Sequence, residues 1–158
     1  MQQHLANWLI RRHQQTVREK PDHPKAWSKL YTICSQESKS AEFMQFCEEV
    51  ARAHPGNRHA WTFLQLSAKD ETHPIDLLAF SKGIVRLHPS DERAWARLDA
   101  AYEKQEDDFD LIEFCQEITK QHPGNSSALA RLVPAYKKQG KYTESVRIDS
   151  AIISQYAP

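Results

Sequence analysis

The fold of this chain follows from one stretch, His54-Pro55-Gly56-Asn57-Arg58-His59-Ala60-Trp61, because the rest of the sequence repeats its pattern. An alanine followed by a large apolar residue recurs at one constant interval, as Ala26-Trp27, Ala60-Trp61, Ala94-Trp95 and Ala128-Leu129. A proline keeps the same interval before each pair, at Pro21, Pro55, Pro89 and Pro123. A fixed interval of this length predicts an array of similar units.

Each repeat unit contains two apolar stripes with helical spacing. In the first full unit the stripes are Ala26, Trp27, Leu30 and Cys34, and then Phe43, Phe46, Cys47 and Val50. Proline, glycine and asparagine favour turns between such stripes. We therefore predict an all-α fold of antiparallel helix pairs, with an N-terminal capping helix or half-repeat at 1–20 and a repeat array at 21–158. The predicted repeat units are 24–57, 58–91, 92–125 and 126–158.

Three local features refine this prediction. The N-terminal helix is expected to use Leu5, Trp8, Leu9 and Val17 as its apolar stripe. In the second repeat unit Thr72 is predicted to cap a helix, with Pro74 just inside it. Pro134 lies inside a predicted helix of the fourth repeat unit. It is expected either to kink that helix or to be accommodated without consequence.

A pair of helices in roughly 34 residues, with tryptophan, leucine, tyrosine and a closing proline, resembles the tetratricopeptide repeat family. Trp95, Leu98, Tyr102 and Pro123 match the pattern most fully, and the resemblance extends from Pro24 to about Tyr156. It implies a right-handed superhelical α-solenoid whose first helices line a concave groove. Phe43, Leu77 and Leu111 stand where the family has an alanine, which implies a wider helix separation or a changed crossing angle.

Composition excludes several classes of protein. Lysine plus arginine equals aspartate plus glutamate, so no net charge favours nucleic acid or a membrane surface. No apolar run approaches the ~20 residues that span a bilayer, and the N-terminus lacks the apolar segment of a secretion signal. The three cysteines, Cys34, Cys47 and Cys115, fall on apolar stripes. We predict buried thiols in a reducing compartment, and hence a cytoplasmic protein.

The histidines do not predict catalysis or metal binding. His54, His88 and His122 occupy one repeat position before each turn proline, where an imidazole can interact with a helix C-terminus. No phosphate loop or nucleophile elbow is present. We therefore predict a protein that is not an enzyme and needs no cofactor or metal.

The predicted first helices carry most of the informative charge. On the stripe opposite the Trp–Leu face there are two acidic residues, Asp70 and Glu103, and nine basic ones, namely Lys25, Lys29, Lys69, Arg93, Arg97, Lys104, Arg131, Lys137 and Lys138. We predict that Arg93, Arg97 and Arg131 contact a partner, with Lys29 and Lys69 at the rim of the groove and Phe63 and Leu66 at its base. The competing interpretation is a solvated polar face of random sign.

These patterns predict a non-enzymatic protein–protein interaction module that binds an acidic or amphipathic peptide in a basic concave groove. The alternative is a scaffold segment of a larger repeat protein that associates through its C-terminal helix, where Ile148, Ile152 and Ile153 form an apolar strip. That strip is expected to form a homodimer or to be covered by residues outside this sequence. Nucleic-acid binding is a weaker alternative, because single-strand binders interleave aromatic and basic side chains.

Overall fold

A computed structural model describes residues 2–69, 75–103 and 109–156, and all regular secondary structure in these ranges is α-helical. This confirms the all-α prediction for the described residues, whereas Thr72, Pro74, Asp70 and Lys104 lie outside them. The helices are α1 Gln2–Glu19, α2 Pro24–Gln36, α3 Ser40–Ala53, α4 Arg58–Ser67, α5 Leu77–Leu87, α6 Glu92–Tyr102, α7 Phe109–Gln121, α8 Ser126–Lys138 and α9 Tyr142–Tyr156.

The chain divides into two compact halves, Met1–Phe80 and Ser81–Pro158, and the division falls within α5. In the first half α1 packs against α2, α2 against α3, and α3 against α4. In the second half α8 packs against both α7 and α9. Helices that are neighbours in sequence are thus neighbours in space, as short connections between helices favour.

The repeated tryptophans form the core of both halves. Trp27, Trp61 and Trp95 are only 1%, 2% and 0% exposed, which confirms the expectation that they are buried. Each indole Nε1–H donates a hydrogen bond to the carbonyl of the proline six residues earlier. The distances are 2.7 Å from Trp27 to Pro21, 2.8 Å from Trp61 to Pro55 and 2.8 Å from Trp95 to Pro89. The shared interval of tryptophan and proline therefore reflects a direct bond that satisfies the buried indole.

A phenylalanine packs beside each of these tryptophans and is covered by an arginine. The ring centroids are 5.9 Å apart for Trp27–Phe46, 5.6 Å for Trp61–Phe80 and 6.1 Å for Trp95–Phe114. The guanidinium carbons of Arg18, Arg52 and Arg86 lie 5.1, 4.9 and 5.0 Å from the centroids of the same three phenyl rings. Each cation–π contact of this exposed kind contributes roughly 0.5–1 kcal/mol.

Two further sets of polar contacts, the hydrogen bonds of Asn57 and Asn125 and one kind of Arg–Glu ion pair, recur in every second repeat unit, at twice the interval of the tryptophans. The Oδ1 atoms of Asn57 and Asn125 accept from the backbone N–H groups of Ala60 and Ala128 at 2.9 and 2.8 Å. The Nδ2 groups of the same asparagines donate to the carbonyls of Pro21 and Pro89 at 2.8 and 2.6 Å. The ion pairs Arg18–Glu49 and Arg86–Glu117, both 2.7 Å, keep the same doubled interval. His23 and Asp91 are the helix caps in the intervening units.

The expected apolar stripe of α1 is wrong in part. Ala6, Ile10 and Val17 are buried, whereas Leu5 and Trp8 are 59% and 54% exposed. Because α1 has apolar side chains on two faces, the residue spacing alone does not decide between them. Packing against α2 selects the face with the smaller alanine and the branched residues, which allow close approach of the helices.

The predicted helix ends at the histidines are confirmed in the described residues. The N–H groups of His54, His88 and His122 each bond to the carbonyl four residues earlier, at 2.8–2.9 Å, so these histidines do end helices. Helix α8 continues through the exposed Pro134 to Lys138. No described helix is long and apolar enough to cross a lipid bilayer.

The three cysteines are unpaired and buried, as predicted. Burial raises the pKa of all three thiols, and it raises the pKa of Cys115 to about 12. Desolvation disfavours the thiolate, which is the reactive form. These thiols therefore act as core side chains.

Candidate functional site

An apolar cleft of about 830 Å³ opens on the surface of the first half. Helices α2, α3 and α4 form its walls, together with Ile75, which precedes α5. Its apolar lining comes from Tyr31, Phe43, Met44, Phe63, Leu66 and Ile75, and its polar lining includes Ser35, Ser38, Ser40, Gln45 and Glu48. A mostly apolar concavity with a few polar groups has the character of a binding site.

Phe63 is fixed in the floor of the cleft by three aromatic neighbours. Its ring centroid lies 4.8 Å from that of Phe43 in an edge-on arrangement, and 5.1 Å from that of Tyr31 in a stacked one. A further stacked contact places it 6.1 Å from Trp27. Aromatic pairs in these arrangements each contribute about 0.5–1.5 kcal/mol beyond the burial of their area. The floor of the cleft is therefore preorganised.

Leu66 stands above this floor and remains 59% exposed. It lies one helical turn after Phe63 on α4, so both side chains project from the same face of that helix. Tyr31 of α2, which also lines the cleft, is 49% exposed. The cleft thus combines an aromatic base, in which Phe43 is buried and Phe63 is half-buried, with exposed apolar edges. An apolar side chain of a partner can complete this arrangement.

The charges at the cleft are balanced. Glu48 lines it and forms an ion pair with Arg52 at 2.9 Å. Glu42 of the same helix pairs with Lys39 at 2.7 Å. The predicted rim lysines, Lys29 and Lys69, are both exposed. The described residues that line the cleft include no lysine or arginine.

The predicted arginines Arg93, Arg97 and Arg131 all belong to the second half. Arg131 lies across the ring of Trp95, with its guanidinium carbon 4.7 Å from the centroid. It also binds both carboxylate oxygens of Asp99, at 2.8 and 2.7 Å, and its side chain is only 18% exposed. Arg131 is therefore a structural residue of this half, whose charge is compensated internally.

Arg93 and Arg97 differ in their surroundings. Arg93 forms two bonds to the carboxylate of Asp91, at 3.0 and 2.9 Å, while its side chain stays largely exposed. Partial burial lowers the pKa of the Arg97 guanidinium. Asp91 and Asp99, the partners of Arg93 and Arg131, lie outside the stripe on which the basic residues were counted.

The structure thus brings Phe63 and Leu66 together and leaves Lys29 on another side of α2. Four apolar lining residues, Tyr31, Phe43, Met44 and Ile75, were not among the predicted site residues, although Phe43 was predicted as part of a helix stripe. Tyr31 carried a signal, because it is a large aromatic residue directly after the apolar stripe residue Leu30. Met44 and Ile75 carried none, since their positions depend on the packing of α3 and on the segment before α5.

The described residues contain no group of three or more histidine, cysteine, aspartate or glutamate side chains that could hold a metal ion. Comparison with known protein-family models finds no match to this chain, and neither does comparison with curated proteins.

Proposed function

We propose that this chain is a non-enzymatic protein–protein interaction module of the tetratricopeptide type, which binds an amphipathic peptide segment of a partner. The observation that carries the proposal is the apolar cleft of the first half, with Phe63 at its base and Leu66 at its edge. The recurrence of the Trp–Pro bond and of the Arg–Phe contact supports a right-handed superhelical repeat array. Three unpaired thiols fit a reducing compartment such as the cytoplasm.

The cleft has room for one or two large apolar side chains of a partner. Burying each of them yields roughly 1.5–3 kcal/mol. Ordering the peptide offsets part of this gain, and the serines of the rim can bond its backbone. We expect affinities in the micromolar range, which corresponds to about 8 kcal/mol. Such an affinity suits reversible assembly.

Peptides selected against the intact chain from a random display library test this function. Leu66→Ala should weaken the selected peptides about tenfold, since it removes an exposed contact with little effect on folding. Leu87→Ala is the matched control, because Leu87 is 60% exposed and Leu66 is 59% exposed. Equal affinities of the parent and both variants would show that the cleft is not the binding site.

A second candidate function is assembly through α9. Tyr142, Val146 and Ile153 are exposed on this helix, while Ile148 and Ile152 are half-buried. A contiguous apolar surface on a helix favours association. Sedimentation over a range of concentrations should then show a dimer that Ile153→Lys abolishes. A monomer at every concentration would eliminate self-association through α9.

A further inference from the structure

The two halves of the chain fill one position of the repeat with different side chains. Phe63 of α4 and Arg131 of α8 occupy this position in the second and fourth repeat units, and each packs on the tryptophan of the preceding unit. The centroid of the Phe63 ring lies 6.1 Å from that of Trp27. The guanidinium carbon of Arg131 lies 4.7 Å from the centroid of Trp95. The two positions are therefore equivalent in structure as well as in sequence.

Each of these side chains also has an equivalent partner. Phe63 contacts Tyr31 and Arg131 contacts Asp99, and both partners stand four residues after the tryptophan that is covered. In the first half the two rings are stacked, with centroids 5.1 Å apart and planes 25° from parallel. In the second half the guanidinium donates two bonds to the carboxylate, at 2.8 and 2.7 Å. An aromatic pair in one half thus takes the place of an ion pair in the other.

The two pairs present different surfaces to a partner. Tyr31 is 49% exposed and lines the cleft beside the half-buried Phe63, so the stacked rings are open to contact. Arg131 uses its donors internally, because it also bonds to the carbonyl of Ser127 at 2.9 Å. An apolar group placed on such an ion pair removes charged groups from water without a compensating bond, whereas the same group gains contacts on the rings. The aromatic pair therefore suits the first half to an apolar side chain.

The remaining lining of the cleft favours an aromatic occupant. Its described residues include one charged side chain, Glu48, which is paired with Arg52 at 2.9 Å. Met44 adds a thioether to the lining, and both thioether sulfur and other rings make favourable contacts with an aromatic ring. An aromatic side chain gains these contacts in addition to the burial of its area, and an aliphatic side chain does not.

We propose that Tyr31 and Phe63 are the specificity-determining pair of the cleft, and that they select an aromatic side chain of the partner segment. The partner's ring packs on the exposed ring of Tyr31, within reach of Met44. This assignment rests on the proposed function, because the cleft must be the binding site. It adds the chemical class of the partner's anchor and the two residues that choose it.

Peptides from the display selection test the choice of anchor, with their affinities measured by fluorescence anisotropy. The anchor of each peptide is the position at which alanine weakens binding most. The parent chain should bind peptides with an aromatic anchor about three- to tenfold more tightly than the same peptides with leucine there. Tyr31→Leu should remove most of this preference, because it deletes the exposed ring. Tyr142→Leu is the matched control and should keep the preference, since Tyr142 is 65% exposed on α9.

An exchange of the pairs tests their equivalence. Tyr31→Asp with Phe63→Arg gives the first half the ion pair of the second half. This double variant should melt about 2–4 °C above the single variant Phe63→Arg, because the introduced carboxylate compensates the introduced guanidinium. It should also bind the aromatic peptides at least about tenfold more weakly than the parent chain. A double variant that melts no higher than Phe63→Arg would show that the two pairs are not equivalent and would overturn the assignment.

The binding results separate this assignment from the proposed function. If aromatic and leucine anchors bind equally and Leu66→Ala weakens both, the pair does not determine specificity, although the cleft remains the binding site. Selected peptides whose anchor is arginine or lysine would also overturn the assignment, because the ring faces would then bind a cation. If Leu66→Ala and Tyr31→Leu both leave every affinity unchanged, the cleft is not the binding site and the proposed function is wrong.

Discussion

Asn57 should contribute more to stability than its place in a turn suggests. Its Oδ1 caps α4 at the N–H of Ala60, and its Nδ2 donates to the carbonyl of Pro21 at 2.8 Å and to Asp22 at 3.1 Å. Removing a cap costs about 1 kcal/mol, and each further bond contributes about 1 kcal/mol. The carbonyl of Pro21 keeps the indole of Trp27 as a donor, so no buried acceptor is orphaned. Asn57→Ala should therefore cost roughly 2–3 kcal/mol.

Urea unfolding, followed by circular dichroism and tryptophan fluorescence, measures this loss as a shift of the midpoint. Asn57→Ser retains a capping oxygen but cannot reach Pro21, so it should cost about 1 kcal/mol less than Asn57→Ala. Asn125→Ala is the internal control, because Asn125 makes the cap and one bond to Pro89. It should cost roughly 2 kcal/mol. If Asn57→Ser is as stable as the parent chain, the Nδ2 bonds of Asn57 to Pro21 and Asp22 do not contribute to stability.

Three more predictions concern stability and reactivity. Gly83→Ala should raise the free energy of unfolding by about 0.5–1 kcal/mol, because a Cβ there meets nothing within 4 Å. Gly140→Ala should lower the free energy of unfolding, since Gly140 has φ +72°. Thermal melts of both variants measure the two effects. Labelling of Cys115 by a thiol reagent at pH 8 should be slow until urea is added, because burial raises its pKa to about 12. Lys82 lowers the pKa of Asp110, and burial raises it by less. The Lys82–Asp110 ion pair therefore stabilises the fold at neutral pH, and this contribution is lost as the pH falls through the folded-state pKa of Asp110. Asp110→Asn should accordingly destabilise the chain at pH 7 but not at low pH.

The parts of the fold that repeat were accessible from the sequence. Trp61 and Pro55 keep a fixed interval because one bonds to the other, so the period recorded a real contact. The helix ends at the histidines followed from turn residues that act locally. The buried face of α1 was not accessible, because Trp8 and Leu5 are as apolar as the residues that α2 covers.

The candidate site shows the same division between local and distant causes. Phe63 and Leu66 stood out as apolar residues on a polar face, and they do line the cleft. The pairing of Arg131 with Asp99 joins residues 32 positions apart in sequence, and a count of charges along one stripe does not include such a partner. Lys29 was assigned to the rim of a groove, and it is not among the residues that line the cleft.

The alternation of polar contacts bears on the history and the redesign of the chain. The caps at Asn57 and Asn125 and the glutamates at Glu49 and Glu117 recur after two repeat units, although the apolar pattern recurs in every unit. A gene that grew by copying a two-unit segment carries this signature. A two-unit segment is also the smallest piece whose insertion or removal keeps the asparagine caps and the Arg18–Glu49 and Arg86–Glu117 type of ion pair in their alternating order. Libraries that lengthen or shorten the protein should therefore change it by two units at a time.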